Sequence, residues 1–235
     1  MREIIFDTET TGLSPAKGDR IIEIGAIELV NKFPTGKIYH QFINSDGFPI
    51  HPDAQNVHGI SEDFLKDKPI FAAIAEEFLA FFSDAILIAH NASFDMGFVN
   101  AELARIKKPP FSPDVVVDTL AIAKRKHPMG PNSLDALCKR YGIDNSHRTK
   151  HGALLDSELL AEVYIELLGG KQASLELAAQ SDPEISQNAG GQNGERRPAS
   201  PRPSPLADRL DAKTRIAHKE YVESLGDDPI WNKYD

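Results

Sequence analysis

With one cysteine, Cys138, the chain cannot form an intramolecular disulfide. That cysteine lies in the helical stretch SLDALCKRYG, where a buried reduced thiol is expected rather than a nucleophile. Long hydrophobic runs are also missing. None approaches the roughly 18 residues that a membrane-spanning helix needs, so no membrane partner is expected. The opening, MREIIFDTET, has no apolar secretory core, and the chain reads as cytoplasmic. Positive charge is in deficit: 26 Lys and Arg stand against 35 Asp and Glu, a formal net charge of −9. A protein that grips nucleic acid by bulk electrostatics is therefore excluded. Internal repeats are absent too.

What is present divides into two regimes. The composition, 41% hydrophobic and 26% charged, is ordinary for a soluble protein, and 235 residues can bury one good core with a tail left over. Residues 1–179 alternate strand-like and helical runs. Residues 180–205, QSDPEISQNAGGQNGERRPASPRPSP, are too polar and too rich in Gly, Pro and Ser to offset their ordering entropy, and are expected to be a flexible linker. Residues 206–235 regain apolar side chains and form a short tail.

Within the first regime, Glu3–Asp7, Arg20–Val30 and Ile38–Ile43 read as strands joined by short connections, hence antiparallel neighbours. An apolar stripe from Phe71 to Phe82 predicts a helix, Ala85–Ala89 a buried strand, and Phe94 to Ile106 another helix. Val115–Val117 reads as a strand, Ser133 as an N-cap for a helix ending at Gly142, and Ala153–Leu168 as a helix closed by Gly169-Gly170. The expected architecture is α/β, a mixed five-stranded sheet flanked by helices.

Three segments carry candidate chemistry. In FDTETTG, period-2 alternation projects Asp7 and Glu9 together while Thr8 faces elsewhere, and Thr10-Thr11-Gly12 form a turn whose backbone can approach a substrate. Two adjacent carboxylates repel unless a cation or a proton intervenes, and oxygen ligands suit Mg²⁺ or Mn²⁺. A lone Asp-x-Glu would equally suit a solvated strand end. In HNASFDMGF, Asp95 opens a helix, where the helix dipole alone would favour it. In HGALLDSELLAEVY, His151 and Asp156 lie about 140° apart on a helical wheel, so they meet only if His151 sits on the preceding loop and folds back. Asp156 falls among leucines and needs a partner such as a metal. Counted together, Asp7, Glu9, Asp95 and Asp156 fit a two-metal phosphodiesterase site with ions about 3.5–4 Å apart, with His151 as general base. Such a site attracts phosphate despite the acidic chain, but a DNA enzyme of this charge should depend on a partner to deliver its substrate. Asp118, Asp135, His51 and His90 complete no constellation.

These motifs resemble those of the DEDDh exonucleases, in particular the epsilon-type proofreading subunits of bacterial DNA polymerase III. The resemblance runs from Glu3 to Leu177 through IIFDTETTG, IIEIGAIELV, VHGISEDFLKDKP, IAHNASFDMGF, NSLDALCKRYGIDNSHRT and HGALLDSELLAEVY. It implies a ribonuclease-H-like sheet and a 3′→5′ exonuclease acting on a single-stranded DNA 3′ end, with two divalent ions (Mg²⁺ or Mn²⁺). Asp7 would bridge the ions, Glu9 and Asp156 would complete one site, Asp95 would support the other, and His151 would be the base. Asp7, Thr8, Glu9 and Asp156 would contact substrate together with His58 and Asp53. The usual residue at the last position is a glutamate, so the shorter Asp53 departs from the family pattern.

The resemblance extends to partners. Gln172, Leu175 and Leu177 in QASLEL are similar to short peptides that bind the bacterial sliding clamp, although the two leucines would also suit packing on the domain. Ile216, Ala217, Tyr221, Val222 and Leu225 form an amphipathic stripe ahead of Trp231, too short for a core of its own. That tail suits docking to the polymerase alpha subunit, and a third small core subunit is a further possible partner. A free-standing DEDDh nuclease trimming RNA or oligonucleotides shares the site but has no need of the tail. A non-catalytic polymerase subunit would have no reason to keep four repelling carboxylates.

Overall fold

The computed structural model describes residues 1–146, 148, 150–170 and 212–224. Chain contacts divide the protein into two units, residues 1–175 and 176–235.

The first unit is built on a five-stranded sheet in the order β3-β2-β1-β4-β5. Strands β1 (Arg2–Thr10), β2 (Ile21–Val30) and β3 (Phe33–Phe42) form an antiparallel meander, while β4 (Ile86–Ala89) and β5 (Val116–Asp118) continue it in parallel. The expected mixed sheet is present, with shifted bounds. β1 runs on to Thr10, so Asp7 and Glu9 both lie inside the strand. β3 begins at Phe33 rather than Ile38 because Asn31 and Lys32, at φ 52° and 72°, close a tight two-residue turn whose hand matches the strand twist.

Helices cover both faces, and β1 sorts them. Its even side chains, Ile4 and Phe6, enter a core with Phe78 and Phe82 of α3 (Phe71–Phe82) and with Met96 and Val99 of α4 (Ala92–Arg105). On the odd face, Ile5 packs with Leu160 and Tyr164 of α7 (Ala153–Leu167). α7 also rests on α6 (Leu134–Tyr141) and on α5 (Thr119–Lys126), burying Leu137, Leu159 and Val163. Two short helices, α1 (Pro52–His58) and α2 (Glu62–Leu65), follow the sheet meander. Expected caps are in place: the Ser133 hydroxyl accepts from the Ala136 N–H, and Gly142 ends α6 at φ 69°. Cys138 is buried, and burial pushes its thiol up to about 11, which suits an inert core residue.

α7 approaches the sheet closely at Gly25 of β2. A Cβ there would lie 2.1 Å from the Leu154 nitrogen and 2.2 Å from the Ala153 carbonyl carbon, so only glycine fits. The Ser157 hydroxyl, 2.8 Å from the Gly25 oxygen, fastens the contact.

In the second unit, α8 (Ala212–Ser224) is helical, with Ile216 and Tyr221 exposed and Val222 half-buried. The clamp-like peptide (Gln172, Leu175, Leu177), the linker 180–205, Leu225 and Trp231 lie outside the described residues. No helix among the described residues is long and apolar enough to cross a membrane.

Candidate metal-dependent active site

β1 brings its carboxylates to α7 and α4 by simple alternation. Asp7 is paired with Gly25 across the strands, directly beneath the first turn of α7, and shares a cavity of about 240 Å³ with Asp156, His151, Arg148 and Asp135. Thr8, on the opposite face, gives its backbone N–H (3.1 Å) and its hydroxyl (2.7 Å) to Asp95 Oδ1. The Thr8 side chain is thus engaged in holding Asp95. Glu9, His151 and Asp156 each offer a ligand atom within 4.8 Å of the other two. His151 lies on the loop before α7 with Nδ1 3.3 Å from Asp156 Oδ2, the fold-back that the helical spacing demanded.

The electrostatics are those of a cation site. Burial, then the neighbouring Asp95, Glu9 and Asp156, hold the Asp7 carboxyl well above the usual range. Burial and Glu23 push Glu9 up to about 8, and burial pushes Asp95 up to about 7. Burial also works against Asp156, but hydrogen bonds from His151 and Arg148 outweigh it and hold that carboxyl low. Buried carboxylates that resist ionisation, grouped with an imidazole at ligand distance, fit a hard divalent cation.

This predicts an unusual pH dependence. For Asp7, Glu9 and Asp95 the folded pKa exceeds the unfolded one, so the stability they contribute is full at acidic pH and lost as pH rises through the folded values. In chelator, the melting temperature should fall from about pH 5 to about pH 8, and Mn²⁺ should raise it most at the alkaline end. Calorimetry across that range checks this; a profile that climbs with pH in chelator would contradict it.

Reading along the sequence missed two members of the site. Glu23, buried on β2, stands directly opposite Glu9 and bonds His40 Nε2 at 2.8 Å. Its signal lay in strand register, since two glutamates oppose each other once β1 and β2 are aligned. Arg148 was also missed; its guanidinium grips Asp156 through Nε (2.5 Å) and Nη2 (2.7 Å).

Two residues set aside from the sequence line the site after all. Asp135, at the N-terminus of α6, accepts from Arg148 Nη1 at 2.8 Å. His90 lines the same cavity with both ring nitrogens engaged, by Thr119 Oγ1 and by the Asn132 carbonyl, each at 2.9 Å. Asp118 has a structural place: it caps α5 through the Leu120 N–H and also receives the Asn91 N–H.

Asp53 and His58 sit on α1, apart from each other. Asp53 is exposed and lines a second cleft, of about 350 Å³, with Gly12, Leu13, His51 and Val57. His51, expected to be unconnected, reaches Asp19 Oδ1 at 3.3 Å on that cleft. His58 is buried; its Nδ1 accepts the Ile60 N–H at 3.0 Å, and its Nε2 has no hydrogen-bond partner. Burial lowers its pKa, and with Nδ1 accepting, a single ring proton sits on Nε2, on the side of the Thr10 backbone.

Sheet order and acidic site together define a nuclease of the exonuclease class. A family model described as Exonuclease matches residues 4–164, and the chain belongs to that family. The chain is 51% identical over 185 residues to the DNA polymerase III subunit epsilon of Rickettsia felis, covering 77% of this chain and 80% of the relative. The Escherichia coli protein of the same name is 46% identical over 188 residues, covering 77% and 76%. Exonuclease X, solved with 5′-overhanging duplex DNA, superposes with TM-score 0.53 at 26% identity, covering 71% of this chain and 90% of that one. E. coli Exonuclease I, solved with a dT13 oligonucleotide, shares the fold with TM-score 0.60 at 22% identity, over 71% of this chain and 40% of that one.

Proposed function

We propose that the chain is a 3′→5′ exodeoxyribonuclease that proofreads newly made DNA as the epsilon subunit of a cytoplasmic DNA polymerase III, releasing nucleoside 5′-monophosphates. The observation that carries this reading is the meeting of Asp7, Glu9, Asp95, His151 and Asp156 in a chain half identical to subunits of that name.

Two divalent ions, Mg²⁺ or Mn²⁺, held by Asp7, Glu9 and Asp156 with Asp95 in support, would supply Lewis-acid stabilisation of the charge that develops on the phosphodiester. The chain's own groups do the rest. His151, on an exposed loop, accepts the proton of the attacking water. Thr8 fixes the Asp95 carboxylate, so one acidic group keeps its orientation throughout. The buried His58, its Nδ1 occupied by the Ile60 N–H, would offer an Nε2–H donor, and exposed Leu13 and Val57 offer apolar walls beside Asp53 for the terminal nucleotide.

Release of mononucleotides from a 5′-labelled single-stranded DNA and its RNA counterpart, with Mg²⁺, Mn²⁺ or chelator, tests this directly. Metal-dependent shortening of DNA from its 3′ end, much faster than of RNA, is the expected outcome. Preferential trimming of RNA would favour a free-standing nuclease, and inactivity on both a non-catalytic subunit.

Residues 1–179 form the exonuclease domain in this reading, 180–205 a flexible linker and 206–235 the segment that docks on the alpha subunit. The exposed Ile216 and Tyr221 of α8 suit that docking. The Gln172, Leu175 and Leu177 peptide would engage the sliding clamp, and a third small subunit would bind the catalytic domain. Truncation after Ala179 should leave nuclease activity within about twofold and abolish co-purification with the alpha subunit. Retained co-purification would refute this assignment of the tail.

A further inference from the structure

We propose that Arg148 is a placeholder cation, occupying the Asp156–His151 end of the active site until a divalent ion takes its place. The proposal rests on the reading of that site as the metal centre.

The Arg148 side chain is only 7% exposed. Nε and Nη2 form a bidentate pair with the two oxygens of Asp156, at 2.5 and 2.7 Å. Nη2 also lies 2.7 Å from Nδ1 and 3.2 Å from Nε2 of His151, and Nη1 is anchored on Asp135 at 2.8 Å. Guanidinium has protons to give and none to accept. Whichever ring nitrogen of His151 accepts from Nη2, its lone pair is engaged and unavailable as a base. One side chain thus occupies a metal ligand and the general base at once.

Electrostatics give the arrangement its purpose. Asp7, Glu9, Asp95 and Asp156 are all buried or nearly so, and their mutual repulsion must be offset when no metal is bound. The charge on Arg148 reaches Asp7 and Glu9 as well. A divalent ion drawn to the same Asp156 oxygens would meet that charge within a few ångströms, where unit charges repel strongly even at an effective dielectric near 20. The two cations would compete for one carboxylate, and a divalent ion would be favoured because Glu9 and His151 offer it further ligand atoms. Asp135, more than half exposed and outside the metal ligands, is then the residue that keeps the guanidinium close.

The test uses the full chain and Mg²⁺ or Mn²⁺ alone. In metal-free protein the Arg148 Nε–H resonance, assigned by its loss in Arg148→Gln, should exchange slowly with solvent, and saturating Mg²⁺ should abolish that protection. Calorimetric titration with Mn²⁺ should give a Kd tighter by about tenfold in Arg148→Gln, on the scale of a neighbouring unit charge removed. Asp135→Asn should shift it in the same direction by less. In chelator, Arg148→Gln should melt below the wild type, and Mn²⁺ should close the gap. Persistent Nε–H protection at saturating Mg²⁺, or a Kd unchanged or weakened in Arg148→Gln, would overturn the proposal while leaving the metal site intact. Absence of any Mn²⁺ binding to the wild type would overturn the metal-site reading and the proposal with it.

Discussion

An Asp7→Asn enzyme is expected to lose about 10³-fold or more of its nuclease activity and yet to melt higher than the wild type in chelator. The two effects share one cause. Asp7 is half-buried, and desolvation together with Asp95, Glu9 and Asp156 opposes its ionisation. In metal-free protein that carboxylate is a liability, and an amide of the same shape removes it. In the proposed metal site the same carboxylate, which lines the cavity with Asp156 and His151, would help to hold an ion, and an amide is a far weaker ligand. Loss of a group that acts on charge developing in the transition state ordinarily costs about 10²–10³ in rate, and loss of metal occupancy adds to that. His151→Ala separates the roles: activity should fall by about 10²–10⁴ with little change in the chelated melting temperature. If Asp7→Asn kept near-normal turnover, or melted well below the wild type in chelator, the placement of Asp7 at the metal centre would be wrong.

The second large effect is expected far from any reacting atom. Gly25→Val forces atoms into the backbone of α7, where even a single Cβ would lie 2.1 Å from Leu154 N. Backbone cannot swing aside as a side chain can, so the first turn of α7 must lift from the sheet. Overpacking of this kind costs about 1–3 kcal/mol and sometimes more. The shift also carries His151 and Asp156 away from Asp7, and misplacement by about 1 Å can cost about 10²-fold in rate. Gly97→Ala is the control, because its added Cβ would find only Pro15, 4.0 Å away. Thermal melts and turnover of the two variants check this; a Gly25→Val protein as active as the control would show that α7 has slack at that contact.

Much of this was legible in the sequence because the site obeys local periodicities. Alternation along β1 puts Asp7 and Glu9 on one face, and helical spacing requires His151 to fold back over Asp156; both hold in the structure. The long helices α3, α4 and α7 were legible for the same reason. Features that depend on pairing at a distance were not. Glu23 joins Glu9 only through cross-strand register. Arg148 sits on a loop with no period to place it, and Asp135 has meaning only as its partner, 13 residues earlier in the chain. α1, α2 and α5 are too short for an apolar stripe to stand out. The Asn31-Lys32 turn has lysine where glycine is the usual signal, which concealed the start of β3.

The odd face of β1 meets α7 in a regular series. The Tyr164 hydroxyl bonds Glu3 at 2.9 Å, Leu160 packs on Ile5, and Asp156 faces Asp7. Strand steps of two residues, about 6.8 Å, run alongside helix steps of four, about 6 Å, so the Asp7–Asp156 pairing of the proposed site is the last rung of the ladder that holds the core. A small change at the lower rungs, such as trimming Leu160 or Tyr164, would tilt the top one while the domain stayed folded. In a dividing cell, such a lesion would surface as a raised mutation rate well before any shortage of the protein itself.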